Sequence, residues 1–352
     1  MSSVLICSAS DPEWDDLVEA CSFHDAYHHA DYHRAMAGNG RPILIAGGHE
    51  GAARWAMPLV LHPIADAVPG ADGHDAISVY GFTGIAWSPE CEAEYLWPAV
   101  WRDVGSALRN LGVVSAFLRL HPLDPFRGPW PDSSSLIEGG RTVLVTSMRR
   151  DDAMIGYGKA HRYDVRRAVR EGLAVRWTQD ASRLTEFLDI YEATMRRNEA
   201  ASSYFFERDR LRQLVSSGRF TTWTGAVEEA ERVLAMSLFL AHPPFAHYFL
   251  SGSRRTEHGS RPSKMLIHEA RQFLGEAGCS VLQLGGGVGS REDSLFRFKS
   301  GFSDERTVFR SLRWVVDPSR YALVLKCWSG GHAAPDDLAT GWFPAYRTPR
   351  SR

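Results

Sequence analysis

The sequence predicts a mixed α/β protein in which one architecture is laid out twice. Three observations carry this. The chain has 352 residues, beyond the size at which a single hydrophobic core usually keeps growing, so two domains are expected. Hydrophobic residues make up 44% of it and charged residues 23%, a balance that fills real cores. Its apolar runs switch between strand and helix periodicity, and the switching recurs: strand, helix, helix, three strands, helix, strand, once in each half.

In the first half, Val4–Cys7 reads as a strand. Asp11 is placed as an N-cap with Pro12 at the first helical position, opening a helix through Ala20, and Asp31–Ala37 forms a second short helix. PILIAG (42–47), ARWAMPLVL (53–61) and AISVYGF (76–82) are strands separated by Gly- and Pro-rich turns. Leu96, Val100, Val104, Leu108 and Leu111 recur at helical spacing over 93–112, with Gly112 as the stop. Pro98 inside that run separates or kinks its first turns. VVSAFLRL (113–120) and TVLVTS (142–147) are strands flanking an irregular Pro-rich segment.

The second half repeats the order. LAVRWTQ (173–179) is a strand, and helices follow over about 181–197 and 207–217. FTTWTGAV, VLAMSLFLAH and FAHYFLSGS are consecutive strands, SKMLIHEARQFLGEAG is a helix and VLQLG a strand. Beyond Phe302, TVFRSLRWVV reads as a strand and SRYALVLKCW as a helix.

Composition removes several classes of function. No apolar run approaches the roughly 20 residues that span a bilayer. The N-terminal stretch has no basic start followed by a long apolar region, so no secretory signal is read and a cytoplasmic address is expected. Five scattered cysteines without a CxxC pair argue against a disulfide framework or a zinc ribbon. A net charge of −2 marks no global nucleic-acid binder, so any RNA contact has to come from a local patch.

The strongest local patch is YGKAHRYDVRRAVREG (157–172), where Lys159, Arg162, Arg166, Arg167 and Arg170 fall within about three helical turns and Arg162, Arg166 and Arg170 share a face. Such a face is either solvated, with Asp164 and Glu171 as partial partners, or a landing strip for phosphates. His24, His28, His29 and His33 include an i, i+4 pair beside Asp25, but no HExxH or Cys/His spacing accompanies them; they read as packing or substrate contacts, and no metal site is assigned. The Gly285-Gly286-Gly287 run lacks the spacing of either nucleotide-binding glycine motif. It reads instead as a turn that splays the last strand from its neighbour. After it, DSLFRFKSGF is a short helix on which Leu295 and Phe298 share a face, while Lys299 projects about 100° from Phe298.

Residues 247–302 resemble the second domain of the Fem-type aminoacyl transferases, which use aminoacyl-tRNA to add amino acids to peptidoglycan precursors and to some antibiotics. The tyrosine strand HYFLSGS, the LGGG turn, and DSLFRFKSGF with Gly301-Phe302 after Phe298-Lys299 carry the resemblance. It implies two tandem GNAT-like acyltransferase domains, each a mostly antiparallel mixed sheet flanked by helices, at 1–148 and 149–311. The segment 312–352 would return to the first domain. It further implies Lys299 as the catalytic lysine and Tyr248 as a hydroxyl donor to the acceptor or the reacting carbonyl. Thr194 and Arg196 fall on a T-x-R motif, followed by the aromatic group at Tyr204, and line the acceptor channel together with Phe298. The basic stretch becomes a tRNA contact. Read as bare residues, Thr194 would face the core, Arg196 water, Tyr248 a backbone carbonyl, and Lys299 the surface.

The sequence departs from the cell-wall members. His33 and Arg34 stand where a first-domain lysine helps hold the acceptor's phosphates, and the long charged helical arm of some members is missing. The expected function is therefore amide formation between a tRNA-borne amino acid and an acceptor amine, small molecule or peptide, in peptide-type natural-product biosynthesis, with no bound cofactor and an oligomeric state that the sequence leaves open, a monomer included. The alternative is an acyl-CoA-dependent GNAT N-acyltransferase. That donor normally needs a [QR]xxGx[GA] loop whose amides cradle pyrophosphate at the start of a helix. Here RRTEHGSRPSKM has Thr256 three residues before Gly259 and Arg261 two after it, and the pattern fails at both ends.

Overall fold

The computed structural model describes residues 4–49, 53–92, 94–126, 128–148, 154–230, 232–330, 338 and 341–348. Positions 93 and 149, the expected start of a helix and of the second domain, lie outside them. By backbone proximity the chain divides into one unit of residues up to Gly139 and from Phe309 on, and a second of Gly140–Val308.

The first unit opens with β1 (Leu5–Ser8), α1 (Glu13–Glu19) and α2 (Ala30–Met36). Pro12, not Asp11, holds the cap position of α1 and makes no side-chain cap. Asp11 is drawn off because its Oδ2 accepts from the Ser8 amide at 2.7 Å, closing the turn that follows β1. Next come β2 (Arg41–His49), β3 (Ala53–Pro63), β4 (His74–Ile77), β5 (Ala86–Trp87), α3 (Trp97–Asn110) and β6 (Val113–Arg119). The expected strand over 76–82 ends at Ile77, and Gly81 takes a φ of +104° in the turn beyond it. Pro98 sits in the first turn of α3, where its missing N–H leaves no helical bond unmade. Two separate 3₁₀ turns, Pro89–Glu92 and Glu94–Leu96, precede it. Trp97, Val100, Trp101, Val104 and Leu108 turn one face of α3 onto the sheet, against Trp55, Met57 and Trp314. Burying each of these large side chains contributes roughly 2–3 kcal/mol.

The chain leaves this unit within β7 (Ser134–Val145) and builds the second. Its elements are α4 (Lys159–Arg170), β8 (Ala174–Thr178), α5 (Leu184–Arg197), α6 (Arg208–Val215), β9 (Thr221–Glu229), β10 (Arg232–His242), β11 (Phe245–Ser253), α7 (Arg261–Glu276), β12 (Val281–Gly285) and α8 (Ser294–Ser300). Strand β13 (Arg306–Val315) then carries it back to pair with β6, and α9 (Pro318–Trp328) follows. Arg347 and Tyr346 tie the last described segment to the buried carboxylate of Asp75 at 2.6 Å each.

In the second unit the strand order is β7-β12-β11-β10-β9-β8. All neighbours are antiparallel except β11 and β12. Met265, Leu266, Ile267, Ala270 and Leu274 of α7 cover one face, with Val165 and Ala168 of α4, against Leu282, Leu284, Phe239 and Ala246. Phe187, Ile190 and Tyr191 form the buried side of α5, and at Gly252 of β11 an added Cβ would lie 2.8 Å from the Tyr191 backbone.

Candidate active site

Among the described residues the pair β11–β12 is the parallel seam of the second sheet. Its ladder holds for three residue pairs, Phe245 with Val281, Ala246 with Leu282 and His247 with Gln283, and then stops although β11 runs on to Ser253. Two local devices accompany this parting. On β11, pairing with β10 shifts so that Leu238 faces Leu250 while Phe239 faces Tyr248, leaving Phe249 as the extra residue of a bulge. On β12, Gly285 adopts a φ of +76°, a left-handed conformation that a side chain would strain, and at Gly286 an added Cβ would lie 2.8 Å from the carbonyl oxygen of Arg141. The glycine run thus bends the chain away and lets it pass close to β7.

Lys299 reaches into this turn. Its Nζ donates to the Gly286 carbonyl at 2.7 Å, and the side chain is buried. Asp293 sets that geometry: one carboxylate oxygen caps α8 by accepting from the Phe296 amide at 2.9 Å, while the other accepts from the Val288 amide at 3.0 Å, fastening the helix to the glycine turn. The inward face of α8 is consequently Phe296 and Lys299. Leu295 and Phe298, which share a face of the helix as its spacing predicts, stay outside the inward side, since the Asp293 cap fixes the helix phase and leaves Leu295 exposed and Phe298 half-buried. Burial pulls the Lys299 ammonium from 10.5 to about 8, partly opposed by the Asp293 carboxylate. It remains mostly protonated at neutral pH. With one N–H spent on Gly286, two are left for an oxygen atom of a substrate.

Tyr248 stands on β11 one residue beyond the last β11–β12 pair. Its ring packs on Phe239 at 5.5 Å, and its hydroxyl meets those of Ser237 and Ser251, which bond each other at 2.9 Å. Burial raises its pKa, so it stays a neutral donor. Tyr248 and Lys299 therefore both belong to the parting of β11 from β12.

Thr194 and its neighbours lie elsewhere, at the far end of β11. The Thr194 hydroxyl accepts from the Ser253 amide at 3.0 Å and lies 2.8 Å from the Ile190 carbonyl and 3.1 Å from that of Ser253. It is buried and staples α5 to the strand. Arg196 is exposed and pairs with Glu192 at 3.3 Å; the arginine that joins Thr194 is Arg197, whose Nη2 donates to the Ser253 carbonyl at 3.0 Å. Tyr204 is half-buried, its carbonyl accepting from the Tyr191 hydroxyl at 2.8 Å. Ser253 lies five steps along the strand from Tyr248, roughly 16 Å.

On α4, Lys159, Arg166, Arg167 and Arg170 are exposed and Arg162 is half-buried, while His161, Val165 and Ala168 face inward. Arg167 is committed to Glu171 at 2.8 Å. Exposed Tyr163 shares the basic face. The helix is keyed to α8: His161 Nε2 lies 2.8 Å from the Phe298 carbonyl, its ring packs edge-on to Phe302 at 4.6 Å, and the Gly158 amide donates to the Gly301 carbonyl at 2.9 Å. His161 was not singled out from the sequence, where it is one more polar residue in a charged run; Asp293 carried a readable signal as an N-cap three residues before Phe296.

In the first unit, one ring nitrogen of each of three histidines is bonded nearby. His28 Nδ1 accepts from the Asp25 amide at 3.0 Å, His29 Nδ1 meets Asp15 at 3.0 Å, and His33 Nε2 donates to the Tyr27 carbonyl at 3.0 Å. Arg34 donates to the Ala9 carbonyl and pairs with Asp31.

The parallel pair that parts beside a bulged strand, with the buried Lys299 at the glycine turn, is the candidate site, and it falls inside a stretch that a family model covers. Residues 159–300 match the family model described as an acetyltransferase (GNAT) domain. No curated protein matches the chain. Among solved structures it is similar to FemX, at 11% identity over 91% of this chain and 99% of that one with a TM-score of 0.66. It is also similar to L-PGS from Bacillus licheniformis, at 14% identity over 92% and 98% with a TM-score of 0.55. A third is a tandem GNAT protein from the clavulanic acid biosynthesis pathway, at 12% identity over 90% and 99% with a TM-score of 0.50. The chain thus has the tandem GNAT fold that these structures share, and its residues 159–300 match an acetyltransferase-type (GNAT) domain. Among the described residues no helix is long and apolar enough to cross a membrane.

Proposed function

We propose that this protein is an aminoacyl-tRNA-dependent transferase that joins a tRNA-borne amino acid to an acceptor amine. The amine nitrogen attacks the ester carbonyl, the C–N bond forms, and the ester C–O bond breaks. The ribose hydroxyl leaves with the proton that the amine gives up. Ester aminolysis runs downhill, so the chemistry demands neither ATP nor a metal. The observation that carries the reading is Lys299, buried and fastened at the parting of two strands with ammonium protons to spare. There it would stabilise the oxyanion of the tetrahedral intermediate, a role commonly worth several kcal/mol.

Tyr248 would hold the acceptor or the reacting carbonyl and Phe298 would contact the substrate from α8, while Thr194, Arg196 and Tyr204 would line the far end of the acceptor channel. The basic face of α4, joined to α8 through His161, would carry the RNA. The acceptor we favour is an amine-bearing, peptide-type natural product. His33 supports this choice, because it is fully buried and bonded where a nucleotide-linked acceptor would need an exposed cation.

The test mixes purified protein with charged tRNAs, or with acetyl-CoA, and a panel of amines, and reads products by mass. A product that appears only with charged tRNA, and disappears after RNase treatment of the donor, is the expected result. Robust turnover with acetyl-CoA alone overturns the proposal in favour of a conventional GNAT N-acyltransferase.

A further inference from the structure

We infer that Glu171 and Glu229 are specificity determinants that exclude acyl-CoA, because they hold the anion-binding end of α7 in a neutralised, closed arrangement. The inference rests on the donor assignment above and goes beyond it by giving the exclusion to particular residues. Helix α7 spans sixteen residues, and its N-terminal end would favour a pyrophosphate through free amides and the helix dipole. Three features remove that capacity.

The first is the backbone. The Gly259 amide donates to the Thr256 carbonyl at 3.2 Å and the Arg261 amide to the His258 carbonyl at 3.2 Å, while Pro262 has no amide proton to offer. The loop therefore turns its donors onto itself.

The second is charge. Arg261 Nε is bound to Glu171 at 3.1 Å, and Glu171 also holds Arg167 at 2.8 Å. His258 Nδ1 meets Glu171 at 3.1 Å, its Nε2 meets Glu229 at 2.9 Å, and Glu257 lies 4.0 Å from the same nitrogen. Three carboxylates thus surround His258 and Arg261, and an incoming pyrophosphate meets no uncompensated positive charge at these two residues. Removing one carboxylate would leave a cation unpaired, the condition under which an anion binds.

The third is rigidity. His258 is buried, and its two ring nitrogens link the end of α4 to the end of β9. Burial disfavours the charged ring, yet the bonds to Glu229 and Glu171 outweigh it and raise its pKa. The loop is pinned from both sides, so it cannot open to expose its amides without breaking both pairs.

The experiment titrates CoA and, separately, inorganic pyrophosphate into the full chain by calorimetry. The proteins compared are wild type, Glu229→Gln and the double variant Glu171→Gln/Glu229→Gln, each checked for folding by thermal melting. The double variant is expected to bind both probes at least tenfold more tightly than wild type, and the single variant about threefold, with the gain shrinking at high salt. If the double variant does not fold, the Glu229→Gln result decides, because that change leaves the Glu171 pairs with Arg167 and Arg261 in place. Folded variants that bind CoA no better than wild type overturn the inference while tRNA-dependent turnover stands. Wild-type turnover of acetyl-CoA instead overturns the donor assignment itself.

Discussion

Replacing Lys299 by methionine separates the cost of burying an ammonium from its catalytic use. The folded chain holds this group near 8 against an ordinary 10.5, chiefly through burial. At about 1.4 kcal/mol per unit that is a cost of about 3 kcal/mol to the charged form. Methionine removes the charge and keeps most of the volume, but forfeits the bond to the Gly286 carbonyl, about 1 kcal/mol. Lys299→Met is therefore expected to be more stable than wild type at pH 7, by roughly 2 kcal/mol. The sign of the pH dependence follows. Because the folded pKa lies below the unfolded one, the unfolded chain binds more protons between about pH 8 and 10.5, and wild-type stability gains over that window while the variant's does not.

Catalysis goes the other way. An oxyanion donor of this kind is worth roughly 100- to 1000-fold in kcat. Wild-type single-turnover rates with charged tRNA should fall as pH rises through about 8, after correction for spontaneous ester loss, and the variant should be slow without that fall. A variant that keeps the wild-type rate, or that is slow but still loses activity near pH 8, refutes the assignment of Lys299.

Three further expectations concern other parts of the molecule. Exchanging Arg166 and Arg170 for glutamine should flatten the dependence of log affinity for tRNA on log salt by roughly two units, one per phosphate contact, while turnover at saturating tRNA stays close to wild type; an unchanged slope returns α4 to a solvated helix. Burial holds His33 at about 3 and His28 well below its ordinary value, so the fold favours their neutral forms; stability should be full above about pH 6.5 and drop as acid is added toward pH 3, by up to about 1.4 kcal/mol per pH unit for each ring, as denaturant midpoints would record. Thr194→Val should destabilise the second unit by roughly 1–3 kcal/mol, because the Ser253 amide is left without its acceptor, whereas Thr194→Ser should cost much less in the same melts.

Much of this architecture was legible because its signals are local. The repeated element order needs only apolar periodicity, and both the separate turns ahead of α3 and the parting of β12 follow from a proline and a glycine run. The side chains were harder. Leu295 and Phe298 share a face of α8 and are both apolar, but apolarity does not say which side of a short helix turns inward. The structure instead turns Phe296 and Lys299 inward, since a carboxylate at Asp293 binds two segments at once. Arg196 and Arg197 are adjacent and chemically identical, and only the helix phase set by the Thr194 staple decides which one meets Ser253. His161 and the Glu171–His258–Glu229 bridge escaped notice for a related reason: their partners lie far away along the chain, at Phe298 and across two helix ends, and no short pattern encodes such distances.

The crossings within β7 and β13 also govern the order in which the protein can be made. Because the chain leaves its first unit near Gly139 and re-enters it near Phe309, the second unit is a continuous stretch whereas the first is interrupted. During synthesis β6 waits for its partner β13 until the whole intervening unit has emerged, so the second unit can fold while the first still lacks a strand. Once folded, that unit acts as a short covalent clasp in place of a long slack loop, and the entropy of bringing β6 and β13 together falls accordingly. A lesion that slows folding of Gly140–Val308 should therefore expose the apolar face of the first unit for longer, even though it alters no residue there.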